Sequence, residues 1–369
     1  MLNTTKIPTT IFTGFLGSGK TTLLRHVLEN AGGRRIAVIV NEFGELGIDR
    51  DLLQGCGLGC DVEGDETSGT MYELANGCLC CTVQEEFYPV MQALMERRDQ
   101  IDHILIETSG LALPKPLVQA FNWPEIQTGC TVDAVITVVD TPATARGQFA
   151  ADPKAVDRQR REDPNLDHLS GLHELFEDQL TAADLVVLSK TDQVEAADLQ
   201  RVEALVRAEL PPQVKIIHSH HGRLDPALLL GLGHASEEGI HLRPDHHGHA
   251  HAGHDHGHHH HHHHHHHQDH DAFDSILLEL PGVDRERLME RLETLAARFP
   301  IYRIKGFAHL PGKPMRLVVQ GVGTRFESYF DRPWGPDERR GTRLMCIGRD
   351  LQAEALRRVL DPCIVEDVG

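Results

Sequence analysis

Residues 77–82 read Gly-Cys-Leu-Cys-Cys-Thr, which places thiols at 78, 80 and 81. A loop this tight cannot easily close a disulfide on itself, and adjacent cysteines make awkward core residues. Thiolates at Cys78, Cys80 and Cys81 are soft ligands suited to Zn2+, Co2+ or Cu+, and they lose their protons as metal binds. With water or another exchangeable group in a fourth tetrahedral position, the ion can leave again, as a carrier requires. A redox thiol pair or simple packing would use the same residues. Spacing and a reducing compartment favour metal. Cys56 and Cys60, in "CGLGC", either add ligands or pack, and the sequence leaves both open.

A second constellation lies upstream. "GFLGSGKT", residues 14–21, fits G-x-x-x-x-G-K-[ST] between a predicted strand and a predicted helix. In that setting the loop amides and the helix N-terminus cradle phosphates, with Lys20 reaching the β- and γ-phosphates and the Thr21 hydroxyl on Mg2+. "SKTD", residues 189–192, resembles the N-K-x-D guanine motif. There Asp192 would accept hydrogen bonds from the guanine ring N–H and amine, while the stem of Lys190 packs over the base, so GTP is expected rather than ATP. Ser189 in place of Asn should tie the neighbouring loops together less firmly. "HILIETSG", residues 103–110, reads as an apolar strand ending in an acid and a glycine. Glu107 is the expected Mg2+ partner and the Gly110 amide the expected γ-phosphate contact. "NEFGELGID", residues 41–49, suits a first switch loop. No residue has the type and place to activate water, which predicts slow hydrolysis.

The elements that must position these groups alternate in kind. "TTIFTGF", "RRIAVIVNE", "HILIETSG", "DAVITVVD", "ADLVVLSK" and "QVKIIHSH" are near-continuous apolar runs separated by helical patterns such as residues 21–30 and 195–209. That alternation predicts a doubly wound α/β domain with a mostly parallel sheet. Residues 246–270 carry ten consecutive histidines at 258–267 and no apolar face, so they read as a flexible linker. Its imidazoles would bind several ions loosely, as an antenna or buffer, or it is a solvated spacer. His168, His173, His218 and His220 stand alone and are expected to be structural. Beyond the linker, "SILLELPG", "YRIKGFAHL", "MRLVVQGVGTRFES" and "TRLMCIGR" read as strands, with helices at 284–298 and 351–360, a small α+β domain.

With 369 residues, two domains are the default. A net charge of −19 and 5% aromatic residues argue against nucleic acid and anionic membranes as partners. No apolar run approaches the roughly 18 residues of a spanning helix. The first residues run straight into a strand with no signal-peptide core, and a cytoplasmic protein is expected.

In this order the P-loop, the C-x-C-C loop, the E-T-S-G strand end, S-K-T-D and the histidine-rich linker closely resemble the CobW-type metal-binding GTPases. These are a branch of the P-loop GTPases that act as metallochaperones. "TGFLGSGKTTLLRHVL", "NEFGELGID", "NGCLCC", "IKGFAHLPGKPMRLVVQGVG" and "DRPWGPDERR" extend the likeness over almost the whole chain. The resemblance implies a GTPase domain over 1–235, a linker over 236–272 and a C-terminal domain over 273–369. It implies phosphate binding by Gly14, Gly17, Ser18, Gly19, Lys20, Thr21 and Thr22, and metal binding by Cys78, Cys80 and Cys81. Val40 departs from zinc-handling relatives that carry a ligating Glu there, so the thiolates, or Glu42 or Glu45, carry more of the site. The implied function is GTP-gated Co2+ delivery to an acceptor, a cobaltochelatase, for cobalamin synthesis. A zinc chaperone and a GTP-regulated histidine buffer are the alternatives.

Overall fold

The computed structural model describes residues 6–41, 71–74, 87–150, 152, 154, 156, 171–243, 274–323, 325–335 and 338–365. Cys56, Cys60, the Cys78–Cys81 loop, residues 42–49, His168 and the histidine tract lie outside these. The first unit runs β1 (Ile7–Thr13), α1 (Lys20–Glu29), β2 (Ile36–Asn41), β3 (Met71–Leu74), α2 (Tyr88–Glu96), β4 (His103–Glu107), α3 (Pro114–Ala120), β5 (Cys130–Asp140), α4 (Thr141–Ala145), α5 (Leu172–Thr181), β6 (Leu185–Ser189), α6 (Ala196–Glu209) and β7 (Lys215–His218). Its seven strands are ordered β3-β2-β4-β1-β5-β6-β7, every pairing parallel. The four-residue edge strand β3 was not among the expected strands. Its sequence, Met-Tyr-Glu-Leu, is too short to carry a periodic signal.

β4 and β6 are buried at every position, because helices cover both faces, and this is why those strands read as unbroken apolar runs. α1 presents Leu23, Leu24 and Val27 to one face. α2 and α3 cover the other with Phe87, Met91, Leu94, Leu117, Val118 and Phe121. The chain leaves β1 toward β2 on one side and β5 toward β6 on the other, so the carboxyl ends of β1 and β5 open a crevice.

The second unit holds β8 (Asp274–Leu280), α7 (Arg285–Arg298), β9 (Ile301–Ala308), β10 (Met315–Val322), β11 (Arg325–Pro333), β12 (Thr342–Gly348) and α8 (Ala353–Leu360). Its antiparallel sheet is ordered β11-β10-β9-β12-β8. The single run expected over "MRLVVQGVGTRFES" is two strands of a hairpin pairing Val322 with Arg325. α7 and α8 bury Leu288, Leu292, Leu295, Leu356 and Leu360 on one face.

The other face roofs the first unit. Ile347, with Tyr302 and Met345, joins the cluster of Phe12, Leu24, Ile136 and Ile217 by way of Leu224, Leu228 and Leu230. Residues 219–234 therefore form a strap between the two sheets. Arg303 of β9 clamps it, donating to the carbonyls of Ala227, Leu230 and Gly231. Residues 236–243, expected within the linker over 236–272, pack on the first unit. Ser236 Oγ donates to Asp184 Oδ2 at 2.5 Å, the Glu237 carboxylate accepts from Thr131 Oγ1 at 2.6 Å and Val132 N at 2.9 Å, and Arg243 pairs with Asp184 at 2.5 Å. Polar composition beside the histidines hid this packing, which rests on buried ion and hydrogen-bond pairs. No described helix is long and apolar enough to cross a membrane.

Candidate nucleotide site

The loop from β1 to α1 is shaped by glycine. Gly14 has φ +132°, and a Cβ there would lie 2.1 Å from the Val138 carbonyl oxygen on β5, so a side chain is excluded twice over. Gly17 and Gly19 also have positive φ, and Gly19 sits at the start of α1. Ser18 is fully buried beneath the turn. Phe15 anchors the loop from behind, its ring 5.7 Å from Phe149 and 6.2 Å from Phe176. Lys20 is 6% exposed and curls over the loop, its Nζ donating to the carbonyls of Gly14 (2.8 Å) and Phe15 (3.1 Å).

Thr21 Oγ1 donates to Glu107 Oε1 at 2.7 Å, joining the first turn of α1 to the end of β4. A hydroxyl and a carboxylate converging beside a phosphate loop are hard oxygen donors of the kind Mg2+ takes, so these residues suit that ion. Gly110 lies against the loop. A Cβ there would meet Leu16 N at 2.5 Å and Leu16 Cα at 2.9 Å, so only glycine lets the two backbones approach this closely.

The "SKTD" segment closes the crevice from β6. Ser189 Oγ donates to the carbonyls of Ser18 (2.6 Å) and Val139 (3.0 Å), so the short side chain does tie this strand end to the P-loop, through backbone oxygens. Lys190, at φ 54°, donates from Nζ to Gly17 O and to Asp140 Oδ2, both at 2.6 Å, laying its stem along the loop. Asp192 Oδ1 accepts from the His221 amide at 3.2 Å.

Two further contributors escaped the sequence reading. Asp140, which ends β5, caps α4 by accepting from Ala143 N at 2.8 Å and holds Lys190 with its other oxygen. The strand-ending acid in "ITVVD" was the available signal. Residues 219–222 abut α1, since a Cβ on Gly222 would sit 2.6 Å from Thr22 Cγ2. Only the folded chain brings that loop to Thr22 and Asp192. Two of the lone histidines pair locally, His173 with Glu177 at 3.0 Å and His218 with Glu203 at 3.2 Å, while the His220 carbonyl accepts from the Arg223 amide at 3.0 Å. Among the described residues no three His, Cys, Asp or Glu side chains gather as a metal cluster.

The comparisons with known proteins converge on one family. Residues 8–218 match the CobW/HypB/UreG nucleotide-binding domain. The chain belongs to the CobW/HypB/UreG family. Residues 273–364 match the Cobalamin synthesis protein cobW C-terminal domain. The chain is 59% identical over 363 residues to a "Zinc chaperone CobW" of Pseudomonas aeruginosa, spanning 96% of this chain and 91% of that one. It is 49% identical over 360 residues to a protein of the same name from a Sinorhizobium species, covering 97% of each. It is 31% identical over 365 residues to the "Zinc chaperone YjiA" of Escherichia coli, covering 95% of this chain and 96% of that one.

Proposed function

We propose that this chain, a P-loop GTPase of the CobW/HypB/UreG family, is a metallochaperone that carries one divalent transition-metal ion on Cys78, Cys80 and Cys81 and releases it as GTP is hydrolysed. The carrying observation is the parallel course of β3 and β2, paired Asn41 with Leu74. Both strands point their carboxyl ends toward the P-loop side, and the chain leaves β3 at Leu74 just before the cysteines. The chain thus leaves β2 at Asn41 and β3 at Leu74 on the nucleotide edge of the sheet, and in this reading γ-phosphate contacts order the segments that follow and their loss releases the metal.

In this reading Gly14, Gly17, Ser18, Gly19, Lys20, Thr21 and Thr22 hold the phosphates, Gly110 contacts the γ-phosphate, and Lys190 and Asp192 take the guanine. Thr21 and Glu107 would hold Mg2+, which would neutralise phosphate charge there. The Lys20 ammonium would turn from the carbonyls of Gly14 and Phe15 to the phosphate oxygens and stabilise the charge that builds as the γ-phosphoryl departs. The division into a GTPase unit over 1–235, a linker over 236–272 and a C-terminal unit over 273–369 belongs to the same proposal, with residues 236–243 packed on the first. So does a cytoplasmic setting, which suits the free thiols of Cys130, Cys346 and Cys363.

The relatives named above support zinc as cargo, and three thiolates suit it. Cobalt passed to a cobaltochelatase is the second reading, favoured by the name of the matched C-terminal domain. Competitive titration of Zn2+ and Co2+, with and without Mg2+ and GTP, tests both on the wild type and on a variant carrying Cys80→Ala and Cys81→Ala. One tight ion per chain that needs both GTP and the cysteines is the expected result, and the relative affinities rank the metals. By linkage, metal must then tighten GTP binding by the same factor. Binding indifferent to nucleotide and cysteines would overturn the carrier reading and move the metal to the histidine tract.

A further inference from the structure

Behind Gly110 stands a side chain that no phosphate motif contains. Gln179, on α5, is fully buried, and its Nε2 donates to Ala112 O at 3.1 Å and Gly110 O at 3.3 Å. A primary amide has two N–H donors, and here both are spent on the segment that joins β4 to α3. Its Oε1 has no partner among the described residues. A buried acceptor left unmatched is a cost that an apolar residue of similar volume would avoid, so the site keeps glutamine for its donors. The backbone behind it is fixed as well, because the Gln179 carbonyl accepts from Thr137 Oγ1 of β5 at 2.7 Å. On their far side, Leu175, Phe176 and Leu180 of α5 pack in one cluster with Phe15 of the P-loop and Leu111.

We propose that Gln179 is the positioning residue that holds Gly110 against the P-loop, and that it thereby sets how strongly the site distinguishes GTP from GDP. The inference rests on the reading of Gly110 as the γ-phosphate contact. With its carbonyl held by Gln179, the Gly110–Leu111 peptide plane is fixed, which limits how far the Gly110 backbone can move off Leu16. Released from Gln179, the segment samples other arrangements, and a γ-phosphate must reorder it on binding, whereas GDP does not engage it.

The test is calorimetric titration of the full chain, with Mg2+, against GDP and against a non-hydrolysable GTP analogue. Wild type is compared with Gln179→Met and Gln179→Leu, which keep most of the side chain's volume and lose its donors. The analogue-to-GDP preference should fall about tenfold in both variants while GDP affinity stays within about threefold. Equal weakening of both nucleotides would mark a merely structural role and overturn the inference. So would a variant that folds and keeps the wild-type preference, with the γ-phosphate reading of Gly110 left standing. If wild type itself holds both nucleotides equally, that reading fails and the inference goes with it.

Discussion

At the carboxyl ends of β1, β4, β5 and β6, two lysines, two carboxylates, a serine and a threonine are buried or half-buried together. At the strap, Thr10, His103 and Asp133 of the same sheet and Arg303 of β9 are all buried. The partners differ. In the first group Lys20 rests on carbonyls of a glycine-shaped loop, which a phosphate can replace, and Lys190 bridges the same loop to Asp140. In the second, His103 Nε2 hydrogen bonds with Thr10 Oγ1 at 2.8 Å, Asp133 Oδ1 accepts from Gly233 N at 2.6 Å, and Arg303 donates from Nη1 and Nη2 to strap carbonyls. Asp133 is the extra residue where the β1–β5 register shifts, a bulge that re-aims its side chain. Burial of charge thus marks both clusters alike. Partners that a ligand could replace mark only the first.

Substitutions should separate the two along that line. Lys20→Ala is expected to lower GTP turnover about a thousandfold, roughly 4 kcal/mol in the barrier, by removing the cation from the transferring phosphoryl group. Steady-state phosphate release checks this, and a parallel melting curve should move little. If stability collapses instead, the first cluster is as structural as the second.

Arg303→Met should do the reverse. Three strap carbonyls lose their donor, so unfolding stability in urea should fall by about 3 kcal/mol while nucleotide affinity stays within a few fold. Burial pushes the Arg303 guanidinium down to about 10. Loss of GTP binding without loss of stability would erase the contrast drawn here.

The smallest effect is acidic. Burial pushes the His103 imidazole from its ordinary 6.5 down to about 4, so the native chain keeps it neutral where the unfolded chain protonates. Between those values the unfolded state binds the extra proton, and stability falls as pH drops from about 6.5 toward 4. From pH 7 to pH 5 this single group contributes a loss of about 2 kcal/mol. Urea midpoints at the two pH values, compared between wild type and His103→Gln, isolate it. An unchanged pH slope in the variant would mean that His103 is not the group responsible.

How far the sequence could be read follows from the range of each signal. The phosphate loop is contiguous, and its glycines, lysine and threonine are adjacent in the chain, so residues 14–21 announced themselves. The parallel sheet was legible because strands covered on both faces lose their polar alternation. Ser189 was expected to bind its neighbours weakly, yet its partners are the backbone oxygens of Ser18 and Val139, which no residue-type argument can see. Arg303, Gln179 and residues 219–222 act across folded distances, through carbonyls rather than motif partners. Residues 236–243 were expected in the linker, and the buried ion and hydrogen-bond pairs that hold them appear only in the fold. The cysteine loop lies outside the described residues, and its role remains the proposal made from its spacing.

The strap has a consequence for the chain's modularity. Because Ile347 of the second sheet and Leu224, Leu228 and Leu230 of the strap share one core with α1, the seam between the units is not where the histidine tract divides the sequence. A C-terminal unit exchanged at that tract would arrive as a roof cut for another house. A graft from a relative should therefore fold well only when residues 219–234 travel with it, so the two units are inherited as a matched pair rather than as interchangeable beads.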